Sequence, residues 1–120
     1  MIKHIATQAV YVSDQAVAEE FWTKKVGFLI KAKQEMAPNM HWLEVGPADS
    51  QTNIVLFPRA MMQDWETKTP SIMFTCDDVR SEYERLKANG VEMASEPNDL
   101  PYGTFASFKD PDGTQFLIKS

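Results

Sequence analysis

The chain has 120 residues, 43% apolar and 24% charged, which fits one folded domain and excludes an intrinsically disordered chain. Seventeen acidic residues against twelve basic ones leave a net charge of -5, arguing against a nucleic-acid partner and against attraction to anionic membranes. One cysteine, Cys76, excludes an internal disulfide and a multi-cysteine zinc site, and only His4 and His41 offer imidazole.

Ile2 to Val12 is rich in Ile, Ala, Val and Tyr and predicts a strand. Its start lacks the basic region and apolar run of a signal peptide. No stretch reaches the roughly 20 apolar residues of a membrane span, so a cytoplasmic protein is expected. Ser13-Asp14 ends the strand and caps a helix over Gln15 to Val26, with Val17, Phe21 and Trp22 on one face and Gly27 as the stop. Strands follow at Phe28–Met36, Met40–Val45 and Asn53–Phe57, with a turn cluster at 46–50 between the last two. The polar stretch from Pro58 to Pro70 shows no strand alternation and reads as a connection.

The order then returns. Ser71 to Cys76 predicts a strand, Asp77-Asp78 a cap, Val79 to Asn89 a helix with Tyr83 and Leu86 inward, and Gly90 a stop. Val91–Ala94, Thr104–Phe108 and Thr114–Lys119 predict three more strands, separated by a loop holding Pro97 and Pro101 and by the turn Asp110-Pro111-Asp112-Gly113. The caps Asp14 and Asp78 lie 64 residues apart, and each helix runs to its closing glycine over a matching span. This is an internal repeat of β-α-β-β-β. The predicted fold class is α+β: a single domain of two such modules, about 1–58 and 70–120, joined by a linker at 59–69.

Val12-Ser13-Asp14, Phe21-Trp22, Gly27-Phe28, Asp77-Asp78-Val79 and the closing stretch from Phe108 to Phe116 around the DPDG turn resemble the vicinal oxygen chelate superfamily. This group includes glyoxalase I, bleomycin-resistance proteins and extradiol dioxygenases. The resemblance covers essentially the whole chain. It implies curved mixed sheets around a cavity, modules that often pair through a homodimer, and one divalent metal held by four His, Gln or Glu ligands. The ligand places of that pattern fall here at Thr7, Leu56, Ser71 and Leu117, which offer two hydroxyls and two hydrocarbons. A divalent transition metal asks for imidazole, carboxylate or thiolate, so neither the family metal nor another cofactor is expected. Gln8 and His4 fall on the strand face opposite Thr7, and His41 and Glu44 have opposite parity.

Strand parity places Thr7, Ala9, Trp42 and Glu44 on the cavity side in the first module, with Leu56 from the family pattern. Trp42 is either an aromatic wall for a ligand or a core tryptophan. Glu44 is either a desolvated carboxylate suited to acid-base work or a cationic ligand, or a solvent-facing partner of a base. Arg59 either anchors an anion at the cavity mouth or pairs with Asp64 or Glu66. Met61, Met62 and Trp65 form either a lid over the cavity or an apolar surface buried against the sheet edge or a partner subunit. In the second module Ser71, Met73, Phe105, Ser107 and Leu117 line the cavity, with Tyr102 at its entrance. Acids beside Cys76 would raise its thiol pKa and speak against a nucleophile.

The resemblance and these residues together predict a small-molecule-binding protein that lacks the family metal, with its ligand and any catalytic residue unassigned. Alternatives are a metal-dependent lyase, thiol transferase or dioxygenase of the same superfamily, or a metal-independent enzyme using Glu44 or His41.

Overall fold

The computed structural model describes all residues from Met1 to Ser120, which divide into two units, Met1–Pro70 and Ser71–Ser120. In the first, β1 (Thr7–Val12) leads into α1 (Gln15–Glu20), followed by β2 (Leu29–Ala37), β3 (Met40–Gly46) and β4 (Asn53–Pro58). The sheet order is β1-β4-β3-β2, with β1 parallel to β4 and the other neighbours antiparallel. The second unit repeats this with β5 (Met73–Thr75), α2 (Val79–Ala88), β6 (Glu92–Leu100), β7 (Gly103–Lys109) and β8 (Gln115–Lys119), in the order β5-β8-β7-β6. Each unit is thus an open mixed sheet with one crossover helix, and the fold class is α+β.

Both helices begin where the sequence places a cap. The Asp14 carboxylate accepts from the backbone N–H of Ala16 and Val17 at 2.9 and 3.2 Å, and Asp78 accepts from the Ser81 N–H. After Glu20 the helix widens into a π-type turn over Phe21–Val26 and ends at Gly27, whose φ of 95° suits glycine. Ala18, Phe21, Trp22 and Val26 form the buried stripe, whereas Val17 is 48% exposed, so the inward place expected for Val17 belongs to Ala18. Its small side chain suits the close approach of α1 to β3 and β4. On the sheet side Val10, Val12, Leu43, Val45, Ile54 and Leu56 are buried. Trp22 stacks on Phe28 at 5.4 Å.

In the second unit Val79 and Leu86 of α2 are buried, and Phe74, Phe108 and Phe116 stack in one cluster. Tyr83, expected inward, is half-buried with the Lys87 ammonium 5.6 Å from its ring centre. Asp110 organises the last turn: its Oδ1 accepts from the N–H groups of Asp112 and Thr114 at 3.1 and 2.8 Å.

Three boundaries differ from expectation. β1 begins at Thr7, opposite Asn53 where β4 begins; ahead of it the Ala6 carbonyl still accepts from the Asn53 N–H, and the residues before that have no strand beside them. β6 runs through Pro97, where a loop was expected. It is an edge strand whose ladder shifts between Ser95 and Asn98, so the missing proline N–H removes no ladder bond. The 59–69 stretch holds two short 3-10 turns, Arg59–Met61 and Trp65–Thr67, and groups with the first unit.

Candidate functional site

Alternation along β1 buries Val10 and Val12 against the helix and turns Thr7, Ala9 and Tyr11 to the opposite, open face. The ladder carries that face across the sheet. One row runs Ala9, Val55, Glu44 and Ala32, and an adjacent row joins Tyr11 to Phe57 on β4 and Trp42 to Gln34. Tyr11 meets Phe57 edge to face at 6.0 Å, and Phe57 meets Trp42 in the same way at 6.3 Å. Three aromatic rings therefore cross three strands in a line.

Thr7, Ala9, Trp42 and Glu44 fall together on this face, and Leu56 does not. Leu56 pairs with Val10 in register, is 0% exposed and belongs to the helix-covered core. By register that face takes its β4 residues from Asn53, Val55 and Phe57 instead, Val55 being as buried as Leu56.

Trp42 is 37% exposed and is fixed from below. Its indole N–H donates to Glu44 Oε2 at 2.8 Å, and Asn53 Nδ2 donates to Glu44 Oε1 at 3.3 Å. Gly46 makes room for Asn53, since a Cβ there would lie 2.6 Å from Asn53 Oδ1. No lysine or arginine forms an ion pair with Glu44.

A second support comes from α1. The β3–β4 ladder covers only Glu44/Val55 and Val45/Ile54, and toward Trp42 the strands are bridged by the Gln15 side chain. Gln15 Nε2 donates to the carbonyls of His41 and Leu56, both at 2.7 Å, and its Oε1 accepts from the His41 N–H at 2.9 Å. The His41 backbone is thereby part of the frame that holds Trp42, and its ring has opposite parity to Trp42.

Arg59 follows β4 at the end of the aromatic row. Its Nε donates to the Tyr11 carbonyl at 3.3 Å and its guanidinium lies 3.8 Å from the centre of the Trp65 ring. Trp65, from the same stretch as Asp64 and Glu66, thus supplies Arg59 with a ring face to stack on. Met61 beside it is exposed and Met62 half-buried.

On the second sheet, Met73, Leu117 and Ser107 follow one another across β5, β8 and β7, and Thr75, Lys119 and Phe105 form the neighbouring row. Met73 and Leu117 are 52% and 41% exposed, a large apolar surface for one face of a small sheet. Ser107 is buried, with its hydroxyl 2.8 Å from that of Ser95. Tyr102 packs its ring edge-on to Phe105 at 5.4 Å, and Ser71 is exposed ahead of β5. Burial first, then the nearby carboxylates of Glu82, Asp78 and Asp77, push the Cys76 thiol pKa up, away from nucleophile behaviour.

The places that a family metal would use do not fit one. Thr7 and Ser71 bring hydroxyls, Leu117 a hydrocarbon, and replacing Leu56 by its open-face neighbours Val55 or Phe57 adds only hydrocarbon. No three His, Cys, Asp or Glu side chains gather as a donor set.

The sequence pattern of the Glyoxalase/Bleomycin resistance protein/Dioxygenase superfamily matches residues 1–118. The chain belongs to this superfamily. Among its relatives in the superfamily, YetH of Bacillus subtilis strain 168 is 51% identical over 119 residues, 99% of each chain. TnmS3, an antibiotic binding protein from Streptomyces sp. CB03234, is 32% identical, with a TM-score of 0.83 over 98% of this chain and 95% of its own. A superfamily member from Sphaerobacter thermophilus superposes with a TM-score of 0.87 at 28% identity, covering 98% and 97%.

Sequence reasoning missed Tyr11 as a firm site residue and missed Phe57, Asn53 and Gln15 altogether. The signal for Phe57 was available: in an antiparallel pair, a β4 residue must share the face of Trp42 and Glu44, and this selects odd positions once one pair is known.

Proposed function

We propose that this chain binds a small, largely aromatic molecule on the open face of its first sheet, without the superfamily metal, and holds it rather than transforms it. The observation that carries the reading is the line Tyr11–Phe57–Trp42, in which the exposed indole is locked by Glu44. Aromatic faces offer large apolar contact with little conformational entropy to lose, which suits a preformed ligand surface. The similarity to TnmS3, an antibiotic binding protein, supports the same class of activity. Both Glu44 oxygens are engaged by donors, which favours a holding role over proton transfer.

The chain is further read as one cytoplasmic domain that works as a homodimer, with exposed Met61 available for self-association. No helix is long and apolar enough to cross a membrane.

A thermal-shift screen against aromatic small molecules, run before and after chelator treatment, tests the function. Stabilisation by at least one compound, unchanged by chelator and lost in Trp42→Ala, is the expected outcome. Stabilisation that needs added metal would overturn the reading.

A further inference from the structure

Glu44 stands out for what does not accompany it. It is half-buried, its row neighbours Ala9, Val55 and Ala32 are apolar, and its two hydrogen-bond donors, the Trp42 indole and the Asn53 amide, are both neutral. No cationic side chain of the chain pairs with it. Arg59, the basic residue at the end of the aromatic row, is turned to Trp65 and the Tyr11 carbonyl. A ligand laid over this face takes water away from the Glu44 carboxylate, a cost that a charged donor on the ligand offsets.

We propose that this face selects ligands carrying a positive charge on or beside an aromatic ring, with Glu44 as the anionic partner; this rests on the binding role proposed above. An ionised carboxylate has about four acceptor sites, so two bound donors leave capacity for a third. An ammonium or protonated ring nitrogen at about 2.8 Å from the carboxylate makes a charge-assisted hydrogen bond. A neutral ring over the same place desolvates Glu44 with nothing in return, and an anionic one is repelled. Discrimination therefore comes from the penalty on wrong ligands as much as from attraction to right ones.

The test is calorimetric titration of three probes of one shape: 4-aminoquinoline, cationic at neutral pH; quinoline, neutral there; and quinoline-4-carboxylate, anionic. Wild-type protein should bind the cation roughly ten- to a hundredfold tighter than quinoline, the range of a charged hydrogen bond. Glu44→Gln should erase that ratio, weakening the cation and easing quinoline binding, because a neutral amide is cheaper to cover than a carboxylate while its oxygen still accepts from Trp42 Nε1. Should Glu44→Gln fail to fold, the wild-type ratio alone carries the test. Equal affinities for cation and neutral ring, no binding of the cation, or preference for the carboxylate would overturn the proposal. Loss of quinoline binding in Trp42→Ala, seen alongside equal affinities, would leave the aromatic binding role standing. Trp42→Ala binding all three as wild type does would overturn that role itself.

Discussion

Gln15 offers the sharpest stability test, because one amide closes three backbone groups where the β3–β4 ladder stops. Gln15→Ala leaves the carbonyls of His41 and Leu56 and the N–H of His41 without that partner, in a part-buried setting. Each hydrogen bond contributes about 1 kcal/mol net, so the variant should lose about 2–3 kcal/mol, the lower end applying where water enters. For a domain of this size each kcal/mol moves the thermal midpoint by roughly 3–6 °C, predicting a fall of about 10 °C. Differential scanning calorimetry measures it. Ligand affinity should fall as well, since the strand segment that carries Trp42 loses its brace. Gln15→Glu keeps the acceptor for the His41 N–H but sets a carboxylate against two carbonyls, so it should be no more stable than the alanine variant. A fall below about 2 °C for Gln15→Ala would show that the bridge is incidental and that the frame around Trp42 is held elsewhere.

Gly46→Ala brings a Cβ within 2.6 Å of Asn53 Oδ1, so the Asn53 amide must turn and its bond to Glu44 breaks. A loss of about 1–2 kcal/mol in denaturant unfolding is expected, and an unchanged midpoint would contradict the contact. Cys76 should react with iodoacetamide at neutral pH more slowly than free cysteine, because burial and the carboxylates of Glu82, Asp78 and Asp77 hold its pKa above the ordinary 9.0; equal rates would refute this. Asp99 is held below the ordinary 3.8 by hydrogen bonds from Arg80 first and then Thr104. With the folded value lowered, its stabilising effect is present above that ordinary value and lost as pH falls through the folded one. The stability gap between wild type and Asp99→Asn should therefore be present at neutral pH and close in acid, and a gap that widens in acid would refute the assignment.

The repeat was legible because its punctuation is local. Asp14 and Asp78 cap helices by reaching the next turn's N–H groups, and Gly27 and Gly90 adopt φ of 95° and 87°, which few other residues accept. Faces were legible on β1 and β3 by parity alone, counted from Thr7 on β1 and from Leu43 and Val45 on β3. On β4 the run Ile54-Val55-Leu56-Phe57 is apolar throughout, so period two carries no signal there; only the family pattern points to Leu56, and the open face belongs to Phe57. Gln15 was invisible for a different reason. A glutamine opening a helix reads as a solvated residue, and its worth depends on two strands that come 26 and 41 residues later. The same holds for Val17 and Ala18, whose exchange is decided by how closely α1 must approach the sheet. Pro97 misled in the opposite direction, since an edge strand with a shifted ladder tolerates what a central strand does not.

The central claim is that Trp42 and its aromatic neighbours bind a ligand with no metal involved. Calorimetric titration of a compound from the aromatic screen into protein dialysed against a chelator tests it directly. The affinity should match that of untreated protein and fall at least tenfold in Trp42→Ala, in keeping with the loss of a large aromatic contact. Binding that disappears on dialysis and returns with a divalent metal would contradict the account.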